Sequence, residues 1–418
     1  GISQVDDQKT VDAVCKLIPI VADELTAQQF EDCMIPLIER DYNCPQFLIE
    51  LLVAKTSEGS NHVRLVLALI QAASRTNVTS SLITVLQKCS QSELREIGHI
   101  SSVFDQIKSL IDADKSPSFS VESALILLFK LSTDETIPPL LANHPLLHSV
   151  LQLNGHIAQR LQIFTALFSV EQFCSDTTIS DGVLKLLVSS SNKKDLILYS
   201  IKLIGALSLH ITGCTLISVN GMLSIFSQMF LSSSITEMSM SLTILYNIAT
   251  YLPEGSMIPQ LSLIVSCLMQ DLIHSSTNKS EILQTLIKLI SRNPEGVQEH
   301  DLQFAVLPLL SQKQAPVIIV LVLKLLDECE TNKLTRIFRI ILHIHFRIRS
   351  IILYRIYLIL SMDTMMYPEV LSAAISLLAT LTMHFNIISF LELTDLIPFA
   401  EDVIKQIKQS GKYPHLLQ

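Results

Sequence analysis

Asp181-Gly-Val-Leu-Lys-Leu-Leu187 and Asn220-Gly-Met-Leu-Ser-Ile-Phe226 are two copies of one pattern. Each is followed by a long apolar stretch, Leu196–Leu209 (LILYSIKLIGALSL) after the first and Ser241–Thr250 (SLTILYNIAT) after the second. Gly182 and Gly221 are 39 residues apart, and the second elements end at Leu207 and Ile248, 41 apart. An earlier copy runs from Asn143 (NHPLLHSVLQL) to Phe168, and later ones from Ile258 to Ile290 and from Leu302 to Leu326. The end markers Leu131, Phe168, Leu207, Ile248, Ile290 and Leu326 are spaced by 37, 39, 41, 42 and 36 residues. A helical unit of that size cannot bury its apolar face alone, so a period near 40 implies a stacked α-solenoid.

The flanking sequence is helical as well. Val11, Val14, Cys15, Ile18, Val21, Ala22 and Leu25 follow the i, i+3, i+4, i+7 spacing of an amphipathic helix. Similar segments fall at about 28–40, 46–55, 62–75, 78–90 and 101–112. Leu371–Leu381 (LSAAISLLATL) has the look of another closing helix. Turns are predicted at Lys115–Ser118, Ser189–Asn192, Ser232–Ser234, Ser275–Ser280 and Asn293–Gly296.

These repeats resemble the armadillo/HEAT family of α-solenoids. The resemblance rests on GVLKLL at Gly182–Leu187, GMLSIF at Gly221–Phe226 and LYNIA at Leu245–Ala249. It implies an all-α, right-handed superhelix whose glycine element opens the second helix of a repeat and whose LYNIA-like element closes the third, lining a concave groove. It covers residues 116–330 best, with irregular helical repeats expected over 1–115 and C-terminal repeats over 331–418, in one continuous array 1–418. In import adaptors of this family, Trp and Asn along the groove grip a basic peptide. Here there is no Trp, and of the aligned positions Ala206, Asn247 and Leu289 only Asn247 is an Asn. Asn247 is therefore a candidate partner-binding residue, and import-signal binding is not expected.

Composition narrows the function. Of 418 residues, 49% are hydrophobic, 17% are charged and 11 are glycine. Such a chain is not disordered, and it lacks the GxGxxG and GxxxxGK loops that cradle phosphates. GxSxG is absent too. His144 and His148 lie at i, i+4, but HPLLH lacks the glutamate of a zinc protease. The eight cysteines include no CxxC and read as buried free thiols of a reducing compartment. Neither a cofactor nor a metal is expected, and the chain is read as non-catalytic.

Mean hydropathy is +0.44, and Leu203–Thr236 carries no Asp, Glu, Lys or Arg. His210, Asn220, Gln228 and several serines interrupt that stretch, so buried helices rather than a membrane span are expected. The polar opening GISQVDDQKT has no signal-peptide pattern, which suggests a cytoplasmic or nuclear setting. It starts with Gly rather than Met, as expected of a trimmed chain or of part of a longer one. So few charges on a solenoid imply that a partner, or the rest of such a chain, covers part of its surface.

Charge is unevenly distributed. The net is −9, which disfavours general nucleic-acid binding. Residues 1–60 hold eleven acids and four bases, whereas 331–362 hold six Lys/Arg and no acid. Arg336, Arg339, His343 and Arg347 would form one helical stripe, extended by Lys333 and Arg355. That stripe suits an acidic or phosphorylated partner segment. The expected function is a protein-interaction scaffold or adaptor, with a regulatory part of a larger signalling protein as its finer form. The alternative is a peripheral membrane or trafficking adaptor that sets the basic stripe on anionic lipid.

Overall fold

All six end markers of the repeat are buried, with relative exposures of 0% for five and 4% for Leu326. They lie toward the ends of the closing helices of successive repeats, so the period read from sequence is a packing period. The structure, a computed structural model, describes residues 8–21, 24–39, 45–56, 62–112, 117–175, 177–191, 193–219, 221–232, 235–253, 256–274, 278–292, 306–310, 314–331 and 368–384. Among these residues every regular element is a helix, and the chain is an all-α solenoid. It divides into two compact units, Gly1–Met222 and Leu223–Gln418.

The first unit contains α1 (Gln8–Val21), α2 (Ala27–Glu39), α3 (Gln46–Lys55), α4 (His62–Ala72), α5 (Thr79–Lys88), α6 (Gln91–His99) and α7 (Ser101–Asp112). It continues with α8 (Ser118–Ser132), α9 (Pro138–Leu141), α10 (Leu146–Gln152), α11 (Ile157–Phe168), α12 (Thr177–Ser191), α13 (Ile197–Ser208) and α14 (Ile211–Val219). Closing helices stack in order: α8 packs on α11, and α11 on α13. A second layer is laid beside them, with α10 against α7 and α12.

The second unit begins in α15 (Met222–Ser232) and continues with α16 (Ile235–Tyr251), α17 (Leu261–His274), α18 (Lys279–Arg292), α19 (Pro316–Thr331) and α20 (Pro368–His384). Here the closing helices stack as α16 on α18, α18 on α19 and α19 on α20. Leu371–Leu381 thus falls in α20, a helix packed on the preceding closing helix.

Three local readings need correction. The shared glycines have different roles. Gly221 does precede a helix, with φ of +73° that a side chain would strain. Gly182 lies inside α12, where an added Cβ would come within 2.6 Å of the Leu151 side chain on α10. It permits close helix approach and opens nothing. Ser189–Ser191 is not a turn but the last turn of α12. Its Ser190 is fully buried, and its hydroxyl meets that of Ser200 on α13 at 2.8 Å. Finally, α6 escapes the apolar-period reading because its nine residues are mostly polar. A reciprocal capping box starts it: the Ser90 hydroxyl accepts from the Glu93 amide, and the Glu93 carboxylate accepts from the Ser90 amide at 2.7 Å.

Serine explains how a chain with so few charges packs so many helices. Ser120, Ser123, Ser200, Ser208, Ser227 and Ser241 are buried. Several donate to the carbonyl one turn earlier, as Ser132 to Leu128 at 2.7 Å and Ser227 to Leu223 at 2.9 Å. In Ser132 and Ser227 the hydroxyl is satisfied within its own helix while the small side chain lets a neighbour approach.

Candidate interaction surface

Consecutive repeats are joined by side chains that reach back about one period to the carbonyls at a helix end. Arg75 donates to Ile38 at 3.4 Å, 37 residues earlier. Lys88 donates to Thr56 at 3.0 Å, 32 earlier. His210 Nε2 donates to Ser169 at 2.9 Å, 41 earlier. Arg292 donates to Thr250 at 2.5 Å, 42 earlier, and also to Leu252. A cationic or imidazole donor placed there satisfies carbonyls that the helix leaves unpaired and opposes the negative end of its dipole. These links fix the spacing between neighbouring helices, and with it the surface they present.

Two further buried polar groups hold the first unit. The Asp134 carboxylate, 1% exposed, accepts from Gln91 Nε2 at 2.8 Å, from the Thr136 hydroxyl at 2.6 Å and from the Thr136 amide at 2.9 Å. Arg95 lies 3.4 Å away. Burial alone would raise this carboxyl, but the bonds from Thr136 and Gln91 and the Arg95 charge outweigh it and hold the pKa at about 2. Arg160 is buried and donates to Leu151 at 2.6 Å and Leu153 at 2.7 Å, closing the end of α10; its burial lowers the guanidinium pKa. His144 likewise serves the fold: its Nδ1 accepts from the Leu146 amide at 3.2 Å, and its ring packs tilted against Phe104, with centroids 5.7 Å apart.

An uncovered surface runs along the closing helices of the second unit. On α16, Thr243 is exposed and Asn247 and Thr250 are half-buried, while the adjacent Ile248 is fully buried. On α18 the uncovered stripe is Glu281, Gln284 and Ser291, with Lys288 half-buried among them. The positions aligned with Asn247, Ala206 on α13 and Leu289 on α18, are buried, with relative exposures of 8% and 0%.

Between α19 and α20 the surface deepens into a half-open cavity of about 550 Å³. Val320, Lys324 and Asp327, at i, i+4 and i+7, line it from α19. Glu369, Ser372, Ala373 and Ser376 line it from α20. Val320 and Ala373 are buried and form the floor, whereas Lys324, Glu369, Ser372 and Ser376 are exposed. The Ser376 hydroxyl donates to Asp327 Oδ2 at 2.8 Å and fixes one carboxylate at the wall.

Of the residues singled out by sequence, Asn247 falls on this surface. Lys333, Arg336, Arg339, His343, Arg347 and Arg355 lie outside the described residues. The cavity residues were not singled out, although Lys324 is the charge that ends the apolar run Val317–Leu323. Among the described residues there is no group of three or more His, Cys, Asp or Glu that could hold a metal. No single helix among them is long and apolar enough to cross a membrane.

No family model and no curated protein matches the sequence. Solved structures do match. One, from work on a phosphorylation switch controlling the interaction between cadherin and beta-catenin, is similar with a TM-score of 0.54 at 14% identity. The match covers 88% of this chain and 68% of that one. At that identity the likeness is one of fold, an armadillo-like solenoid in coarse terms.

Proposed function

We propose that the chain is a non-catalytic scaffold that holds a partner protein or peptide along the closing-helix face of the unit Leu223–Gln418. The observation that carries this reading is the stack α16, α18, α19 and α20, which exposes Thr243, Glu281, Gln284 and Ser291 and ends in a cavity. The similar structure comes from a system of two interacting proteins, which supports a binding role by analogy of fold. The finer proposals are a regulatory part of a larger signalling protein and a cytoplasmic or nuclear setting. Free thiols at Cys33, Cys89, Cys174 and Cys267 are in keeping with a reducing compartment.

Affinity capture from native lysate tests the reading. Wild type is compared with Asn247→Ala/Gln284→Arg/Lys288→Glu. A stoichiometric partner retained by wild type and lost by this variant is the expected result. A partner held equally by both removes the face from the account.

A second reading is favoured by the six Lys/Arg without an acid over residues 331–362. In it, Lys333, Arg336, Arg339, His343, Arg347 and Arg355 meet an acidic or phosphorylated segment, or anionic lipid. Co-sedimentation with phosphatidylserine vesicles distinguishes the two. Salt-sensitive binding abolished by Arg336→Glu/Arg339→Glu/Arg347→Glu supports lipid contact, and absence of binding discards it.

A further inference from the structure

We propose that Asn154-Gly155, in the turn between α10 and α11, is a self-modification site. The Gly155 amide nitrogen closes on the Asn154 carboxamide and converts Asn154 to aspartate and isoaspartate. The isoaspartyl product loosens the joint between the two helical layers of the first unit.

Both reacting groups are open. Asn154 and Gly155 are exposed. Among the described residues, neither the Gly155 amide nor the Asn154 carboxamide has a hydrogen-bond partner. A helical amide is tied to a carbonyl, whereas this one can give its proton to hydroxide. Gly155 has φ of +95° and nothing within 4 Å of where a Cβ would stand, so no side chain shields its nitrogen. The deprotonated nitrogen attacks Cγ of Asn154. A new N–C bond closes a succinimide ring, and the side-chain nitrogen leaves as ammonia, taking a proton from water. Water then opens the ring at either carbonyl. Breaking the new bond gives aspartate. Breaking the original peptide bond gives isoaspartate, whose main chain runs through the side chain and is one methylene longer. No oxidant or reductant enters.

Arg160 makes that methylene matter. The residue is 6% exposed, and carbonyls of this turn hold its guanidinium. Nη2 donates to Leu151 at 2.6 Å, and Nη1 donates to Leu153 at 2.7 Å and to Gly155 at 3.4 Å. Its Nε has no partner among the described residues. Leu153 and Gly155 flank Asn154, so a longer main chain at 154 moves apart two carbonyls that share Nη1. A buried cation deprived of acceptors is costly. His156 follows with φ of +48°, so two successive residues already hold positive φ and the turn has little room to absorb an insertion. On either side of it, α10 packs on α7 and α12, and α11 on α8 and α13. Aspartate keeps the main chain and is tolerated there.

The test ages the full chain at mildly alkaline pH in an Asn220→Gln background, which leaves Asn154-Gly155 as its one Asn-Gly pair. Peptide mapping by mass spectrometry follows the replacement of NH2 by OH at position 154. Folded chain is expected to convert no more slowly than the capped peptide 151–158, at a rate that rises with hydroxide concentration. Asn154→Gln should stay unmodified at 154 over the same period and keep the parent unfolding curve. An Asn154 that stays intact in folded chain, while the peptide and urea-unfolded chain convert, overturns the site. The converted chain, isolated by ion exchange, is then compared with Asn154→Asp, which has the same charge and a normal main chain. It should unfold at lower urea concentration and exchange amide hydrogens faster over 151–160. Equal midpoints and equal exchange overturn the coupling to Arg160.

Discussion

Arg292, in the last turn of α18, donates to the main-chain carbonyl of Thr250 at 2.5 Å, in the last turn of α16. One guanidinium thereby closes the end of the preceding repeat's helix and sets the distance between two helices of the proposed binding face. Arg292→Met keeps the aliphatic stem and removes the donors. It is expected to lower stability by about 1.5–3 kcal/mol, the range for hydrogen bonds to a charged group. Urea unfolding should show the loss, and hydrogen exchange should show faster opening of 246–253. Unchanged exchange there would mean that the link does not hold the repeat.

Asp134 gives a pH signature. Its folded pKa of about 2 lies below the ordinary aspartate value of about 3.9. Its contribution is therefore fully present above about pH 4 and is lost as the pH falls through about 2. Asp134→Asn should cost about 1–3 kcal/mol at neutral pH. It should also flatten the stability profile between those two pH values. Equilibrium unfolding at successive pH values measures both effects.

The repeat period was legible because Leu131, Phe168, Leu207, Ile248, Ile290 and Leu326 are core positions of successive closing helices, and apolar periodicity reports burial. Residue type alone did not reveal what each polar residue does. Ser189–Ser191 has turn composition, yet tertiary packing keeps it helical, with Ser190 bonded to Ser200. The polar helix α6 was detectable only through its capping pair Ser90 and Glu93. Asn247 stood out because the LYNIA element around it resembles the closing helix of an armadillo repeat. Asp327 and Glu369 did not, because the cavity joins helices separated by a long stretch of sequence and no linear spacing connects them.

The two glycines of the repeated motif should respond differently to alanine. Gly221→Ala places a side chain at positive φ and is expected to cost about 1–2 kcal/mol regardless of its neighbours. Gly182→Ala strikes Leu151, so its cost should be relieved by Leu151→Ala. A double-mutant cycle should give a coupling of about 0.5 kcal/mol or more for Gly182 with Leu151 and none for Gly221 with Leu151.

Cys174 and Cys214 should be inert in the native state. Burial pushes the Cys174 thiol up to about 11, with Glu171 adding to the rise and a bond to Thr212 opposing it. Burial pushes Cys214 up to about 12, with Cys174 adding to it. At pH 8 both remain protonated and weakly nucleophilic. Iodoacetamide followed by peptide mass mapping should leave them unmodified until the chain unfolds. Alkylation of either at the rate of a free thiol would contradict their buried placement.

The central claim is that the closing-helix face of the second unit meets a partner, and photo-crosslinking from single positions in the cell tests it most directly. A benzophenone amino acid is placed at Thr243 or Gln284 on that face, and at Gln270 on α17 as the comparison; all three positions are exposed. The account predicts a discrete protein adduct from Thr243 and Gln284 and none from Gln270. Adducts from Gln270 alone, or none from any position, would contradict it.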